Sequence, residues 1–247
     1  MNTDKQHIVW HDDVIVKQLI SYAVGCMMGR YRLDKPGLHI AHPNPTDEET
    51  VAYNYNGGRF EIDDDGIVPL MPLDSPFNDN APLRLQEFVK LVFGEERLSE
   101  NLNIIESALG KSIADYFQKD FWRDHKKMYQ NRPIYWLFAS KKGAFQCIVY
   151  MHRMNAYTVS RLRTKYLLKE IEYLKQRIDN LRARQAELSV VERRQLASFE
   201  KNLEECREYD IRLHAVADRQ IAFDLDDGVV VNHAKFGDVL AKLRRVI

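Results

Sequence analysis

Cysteine is scarce in this chain. Cys26, Cys147 and Cys206 are odd in number, far apart and without a CxxC pair, which argues against a disulfide framework and a zinc knuckle and points to a reducing cytoplasm. Long apolar runs are lacking as well. The most apolar one, Val14 to Met28, is interrupted by Lys17 and Gln18 and is too short for a bilayer; no signal peptide opens the chain, so a soluble protein without a membrane partner is expected. Net charge is absent, because 36 basic and 36 acidic residues cancel. Any affinity for nucleic acid must therefore come from local segregation of charge. Catalytic signatures are missing too. Gly57-Gly58 is not followed by Lys-Ser or by a third glycine, no Ser or Cys sits in an elbow motif, and His7 and His11, at i and i+4, have no third ligand at a defined spacing. His39 and His42 fare no better, and surface histidines explain all four. An independent enzyme, a metal centre and a bound cofactor are not expected on these residues.

What is present is a helical pattern interrupted once. Asp12 and Asp13 sit where a helix N-terminus favours negative charge, with Val14, Ile15, Leu19, Tyr22, Ala23 and Cys26 at helical spacing behind them. The Gly25/Gly29 pair reads as close packing or a helix end. Seven of the eight prolines then fall between Leu33 and Pro82, which excludes long helices there. Within that segment Arg59 to Ile62 and Ile67 to Leu70 flank Asp63-Asp64-Asp65-Gly66, the signature of an Asp-Gly hairpin. The spacing does not match a calcium loop. Asn80 and Pro82 open a helix ended by Gly94, Ser99 caps a second running to Gly110, and Ser112 with Asp115 begins a third whose stripe extends to Met128.

The stretch from Asn131 to Lys165 holds the densest information. Ile134 to Phe138 and Phe145 to Tyr150 read as two strands around a polar turn, and a basic helix follows. Its cations, Lys141, Lys142, Arg153, Arg161, Arg163 and Lys165, are interleaved with aromatics and Asn155 and form the candidate DNA-binding set. Helical spacing puts Arg161 and Lys165 on one side and Arg163 about 160° away, so the patch is not a single stripe. Leu167, Leu174, Leu181 and Leu188 recur every seven residues, with Ile171 and Ile178 in the complementary row. A dimeric zipper is disfavoured by what comes next. Ser189 and Glu192 form a capping box that starts a new helix with its own stripe, Leu196, Phe199, Leu203, Cys206 and Leu213. Two such helices bury their seams on each other as an antiparallel arm about 45 Å long.

A second Asp-Asp-Gly turn, Asp226 to Gly228, predicts another hairpin within Ile221 to Val231, and a last helix is expected from about His233. The resulting fold class is α+β, predominantly α: a body over 1–155 with the proline-rich segment 33–82, a coiled-coil arm over 156–220, and a tail over 221–247 packing back on the body.

The order of blocks carries a resemblance. ISYAVGCMMGRYRLDKPGL, FVKLVFGEERLSENLNIIESALG, DFWRDHKKMYQNRPIYWLFAS, FQCIVYMHRMN, TVSRLRTKYL and FDLDDGVVVNHAKF, from Ile20 to Phe236, resemble consecutive blocks in the C-terminal portion of the PglX-type adenine-specific DNA methyltransferases of bacterial BREX phage-defence systems. The resemblance implies an upstream methyltransferase domain that binds S-adenosylmethionine and carries an Asn-Pro-Pro-Tyr motif. Neither signature is in this chain. Pro43-Asn44-Pro45-Thr46 lacks the Pro-Pro step and the aromatic that stacks on an extruded base, so it takes no catalytic role. The implied partners are double-stranded DNA, the upstream domain and other BREX subunits. The implied role is to hold duplex DNA, with charge removal at Arg153, Arg161, Arg163 and Lys165 weakening binding and its salt dependence. The competing role is a structural module, with the arginines paired to carboxylates such as Glu170 and Glu172.

Overall fold

The computed structural model describes residues 11–222 and 224–243. His7 of the histidine pair, and Phe223 in the last of the blocks, lie outside them. Helix dominates, with two small antiparallel sheets.

Helix α1 (Asp12–Met27) has the expected acidic first turn and buries Val16, Ile20, Ala23, Val24, Cys26 and Met27, whereas Val14, Ile15 and Tyr22 face solvent. The buried stripe thus lies one position over from the expected one. Gly25 and Gly29 do serve close packing and a helix end: a Cβ on Gly25 would meet the Tyr31 ring at 2.5 Å, and Gly29 has φ +72°. The proline-rich segment holds one short helix, α2 (Asp47–Thr50), capped reciprocally by Thr46 and Glu49.

The Asp-Asp-Asp-Gly hairpin is not formed. Strand β1 (Tyr53–Tyr55) instead pairs with β2 (Gly58–Phe60) across Asn56-Gly57, and β3 (Ile67–Pro69) leaves to join another sheet. The Asp63 carboxylate accepts the backbone N–H groups of Asp65, Gly66 and Ile67, which folds the chain into a side-chain-closed turn and frees β3 to pair elsewhere.

Helix α3 (Ala81–Phe93) follows Asn80 and ends at Gly94 as expected. Helix α4 (Leu98–Leu109) is led by a 3₁₀ turn over Glu95–Arg97, so Ser99 lies inside the helix and is not its cap; Gly110 ends it in the left-handed region. Ser112 caps α5 (Ile113–Lys119) through the Asp115 N–H. A break at Asp120 then divides the expected third helix and starts α6 (Phe121–Met128).

Strands β4 (Tyr135–Ala139) and β5 (Gln146–Tyr150) form the expected hairpin, with Tyr135 opposite Tyr150 and Leu137 opposite Ile148. β5 is the central strand, with β3 on its other side. Almost every residue of these strands is buried, so the three-stranded sheet lies within the core. Pro69 ends the edge strand, where a missing N–H is tolerated.

The arm follows. Helix α7 (Thr158–Arg161) passes through a π-helical segment, Leu162–Leu167, into α8 (Leu168–Arg182), and α9 (Val190–Ala217) returns alongside it from the Ser189 capping box. Leu167, Ile171, Leu174, Ile178, Leu181 and Leu188 are buried opposite Leu203, Cys206, Tyr209 and Leu213. Each such side chain contributes about 1.5–3 kcal/mol on full burial, so the heptad closes within one chain.

The second Asp-Asp-Gly hairpin is also overturned. Leu225–Asp227 is a 3₁₀ turn and α10 (Gly228–Ala234) follows it directly. Val230 and Val231 are exposed with no strand beside them, while Asn232 and His233 turn inward, a helical pattern that the alternation concealed. The helix expected from His233 onward is not formed over the described residues: only His233 and Ala234 are helical, as the end of α10. The described chain beyond it holds a 3₁₀ turn (Gly237–Val239) and a bridge from Leu240 to Phe138 on the free edge of β4. His233 and Phe236 pack edge-on against Trp136, and the Tyr209 hydroxyl donates to the Val239 carbonyl, tying tail to sheet and arm.

Candidate nucleic-acid interface

The six candidate cations are not one surface. Arg153, at the end of a 3₁₀ turn after β5, is 4% exposed, and its guanidinium donates to the carbonyl oxygens of Met28 (3.2 Å), Asp63 (2.7 Å) and Asp64 (2.8 Å). It packs against Gly66, whose φ of +72° a larger residue would rarely adopt. Burial pulls the guanidinium pKa down, and Asp63, Asp65 and Asp64 oppose that pull. Arg153 is a clamp between α1 and the Asp63 turn, facing away from any ligand in solvent.

Arg163 and Lys165 are engaged as well. The π-helical turn widens the spacing per residue, so the 100° wheel does not apply to them. Arg163 makes a two-point contact with Asp210 of α9, at 2.7 and 3.1 Å. Lys165 reaches Asp64 (3.0 Å) and Asp65 (3.1 Å) in the turn that Arg153 holds. The expected partners of these cations were Glu170 and Glu172. Glu172 pairs with Lys175 instead, and Glu170 Oε2 has no hydrogen-bond partner among the described residues.

Asp63, Asp64 and Asp65 bring carboxylate oxygens within 4.8 Å of one another. Their lone pairs are already directed at backbone N–H groups, Lys165 and the Tyr166 hydroxyl, so the cluster is organised as a turn.

The remaining three cations differ. Lys141 and Lys142 are exposed at the β4–β5 turn, and that turn is fixed to the arm because Glu205 of α9 accepts the backbone N–H groups of Lys142 (2.6 Å) and Ala144 (3.3 Å). Burial raises the Glu205 carboxyl pKa, but the Ser140 hydroxyl and these two N–H groups outweigh it and hold the carboxyl below its usual range. Arg161 is half-exposed on α7, which also packs against α9. Neither Lys141 nor Arg161 has a carboxylate partner among the described residues. One helical turn before Arg161 stands Tyr157, 61% exposed, an aromatic beside a cation that sequence spacing did not single out.

A second basic region was also missed. Lys126 and Lys127 end α6, and Arg132 and Lys242 line an open groove of about 560 Å³ together with His233 and Leu240. Lys126 donates to the Lys242 carbonyl, which ties the end of α6 to the tail. The pairing spans 116 residues, so the run His125-Lys126-Lys127 was the one local clue. His233 is neutral there, its pKa pushed down to about 4 by burial.

Pro43-Asn44-Pro45-Thr46 is committed locally. Asn44 has φ +56° and accepts from the Asn155 amide, and Thr46 caps α2. These side chains fit a turn and supply no stacking surface for a base.

Fold and site together define a mostly helical module in which a two-helix arm is braced on a small-sheet body and carries exposed cations at its base. Its sequence places it with the adenine-specific methyltransferases of the BrxX and PglX kind, as one region of them. It is 44% identical over 255 residues to the adenine-specific methyltransferase BrxX of Escherichia coli O9:H4 (strain HS), covering 96% of this chain and 21% of that protein. It is 37% identical over 236 residues to the adenine-specific methyltransferase PglX of Lacticaseibacillus casei (strain Zhang), covering 89% of this chain and 19% of that protein. The chain thus spans about a fifth of the length of the curated relatives it matches. No family model matches it.

Proposed function

We propose that this chain is the DNA-holding, target-recognition module of a bacterial phage-defence adenine-N6 DNA methyltransferase of the BREX type, acting in the cytoplasm. Methyl transfer and S-adenosylmethionine binding belong to an upstream domain of the longer protein. The observation that carries the reading is the set of exposed and half-exposed cations at the foot of the arm: Lys141, Lys142 and Arg161, with Tyr157 beside the last. Phosphate contacts of this kind fix register and supply salt-dependent affinity, while base reading requires a few side chains in a groove. The test is a salt titration of duplex DNA binding by this chain, alone and joined to the methyltransferase domain. Log affinity is expected to fall linearly with log salt, with a shallower slope for the Lys141→Glu/Lys142→Glu variant. Unchanged affinity and slope in that variant would remove the assignment.

A second reading has its own support. Val190 and Val191, 64% and 63% exposed at the tip of the arm, offer an apolar contact for the methyltransferase domain or another defence-system subunit. Under it the arm braces a partner, and DNA binding arises only in the joined protein.

A further inference from the structure

Glu170 is a buried acid with no explanation in the arm's packing. It lies on α8 where the arm meets the body, it is 4% exposed, and its Oε2 is enclosed without a hydrogen-bond partner. Beside it is a cavity of about 180 Å³. One water takes up about 30 Å³ of liquid, so the space admits a molecule of several heavy atoms. Lys142 of the β4–β5 turn, Gln118 of α5, Asn202 of α9, and Asp74, Tyr173 and Glu170 itself line it.

Two of the neighbouring donors are already in use. The Tyr173 hydroxyl donates to the Asp74 carbonyl, and the Lys142 backbone N–H to Glu205. An enclosed carboxylate without a donor is unfavourable when ionised. Burial, reinforced by the Asp74 carboxylate, accordingly raises Glu170 to about 7. The site therefore holds an acid poised to ionise when a donor arrives, next to a space that accommodates one.

We propose that this cavity binds a small organic cation whose guanidinium or primary ammonium group donates N–H bonds to the Glu170 carboxylate, with the amide oxygens of Gln118 and Asn202 as further acceptors. A planar guanidinium matches a carboxylate by two parallel bonds. The site shares Lys142 with the cations assigned to DNA, but its test uses no nucleic acid.

Calorimetric titration of the full chain with methylguanidinium chloride at pH 8 is expected to give saturable binding. Ionisation near pH 7 makes that binding roughly tenfold weaker at pH 6. Asp74, Lys142, Tyr173, Cys147, Cys206 and Glu205 also surround Glu170, so the pH dependence is assigned by Glu170→Gln. That variant is expected to lose at least tenfold in affinity and the pH dependence with it. It should melt at or above the wild-type temperature at pH 8, which shows that it folds. Tetramethylammonium, with the same charge and no N–H, is expected not to bind. No saturable heat at pH 8, equal binding by Glu170→Gln, or equal binding of tetramethylammonium would each overturn the proposal.

Discussion

Arg153 and the Lys141–Lys142 turn come from the same short stretch of sequence and have opposite fates. The guanidinium of Arg153 is buried against three carbonyl oxygens on α1 and the Asp63 turn, whereas the two lysines stand in solvent at a turn held by Glu205. The difference lies in what each local backbone meets. β5 delivers Arg153 to the turn that leads into β3, its own sheet neighbour, while the hairpin loop projects past the sheet toward the arm. A run of cations is thus divided by topology into structural and available members. Charge counting along a sequence cannot make that division, because it lacks the distant acceptors.

The body's burial of polar side chains predicts the largest effect. His125, 1% exposed, accepts the Tyr135 N–H and stacks on that ring, and burial, followed by the nearby Arg30, pushes its pKa down to about 3. His233 behaves alike near 4. Their folded pKa values lie below the unfolded value of about 6.5. The unfolded state therefore binds protons first, and the stability they contribute is complete above about pH 6.5 and lost as pH falls toward 4 and then 3. The loss is roughly 8 kcal/mol for the pair. Imidazole resonances of both that stay unshifted between pH 8 and 5 are expected; a midpoint near 6.5 for either would contradict its burial.

Arg153→Ala comes next. Three buried carbonyls lose a charged donor, and urea unfolding should register about 3 kcal/mol of destabilisation. A change below 1 kcal/mol would mean that the clamp is dispensable. Lys141→Glu with Lys142→Glu should leave stability within about 0.5 kcal/mol, as exposed substitutions do. DNA affinity should fall about tenfold and the salt slope should lose about two phosphate equivalents. Equal stability losses for this pair and Arg153→Ala would erase the distinction between the two regions.

The smallest effect belongs to Arg163 and Asp210. Both side chains are about one-fifth exposed, so solvent screens the pair and a double-mutant cycle should give about 1 kcal/mol. Arg163→Met should therefore cost little DNA affinity compared with the lysine turn. A loss equal to that of the double lysine variant would return Arg163 to the interface.

The helices α1, α3 and α9, the β4–β5 hairpin and the intrachain closure of the leucine heptad were legible in the sequence, each from a cap, a turn or a periodic stripe. The two Asp-Asp-Gly turns misled in the same way. Such a turn reports that the chain reverses or bends locally, and at Gly66 and Gly228 the following residues found a partner strand elsewhere or none at all. The Asn56-Gly57 hairpin carried an equally good local signature that adjacent glycines obscured.

The residues by themselves determined where α3 starts and stops and where α1, α5 and α9 start, that the arm folds back on itself, and that a basic segment lies at its foot, since these depend on interactions within a few turns of chain. Tertiary structure alone decided that Arg153, Arg163 and Lys165 are held by internal oxygens, that Lys126 and Lys242 meet across the sequence, and that Glu170 faces a cavity without a partner. Each of those outcomes is set by groups dozens of residues away, brought near by burying the sheet and the arm's seam. The hydrophobic term that does so acts on area and is blind to which charged side chains it leaves inside.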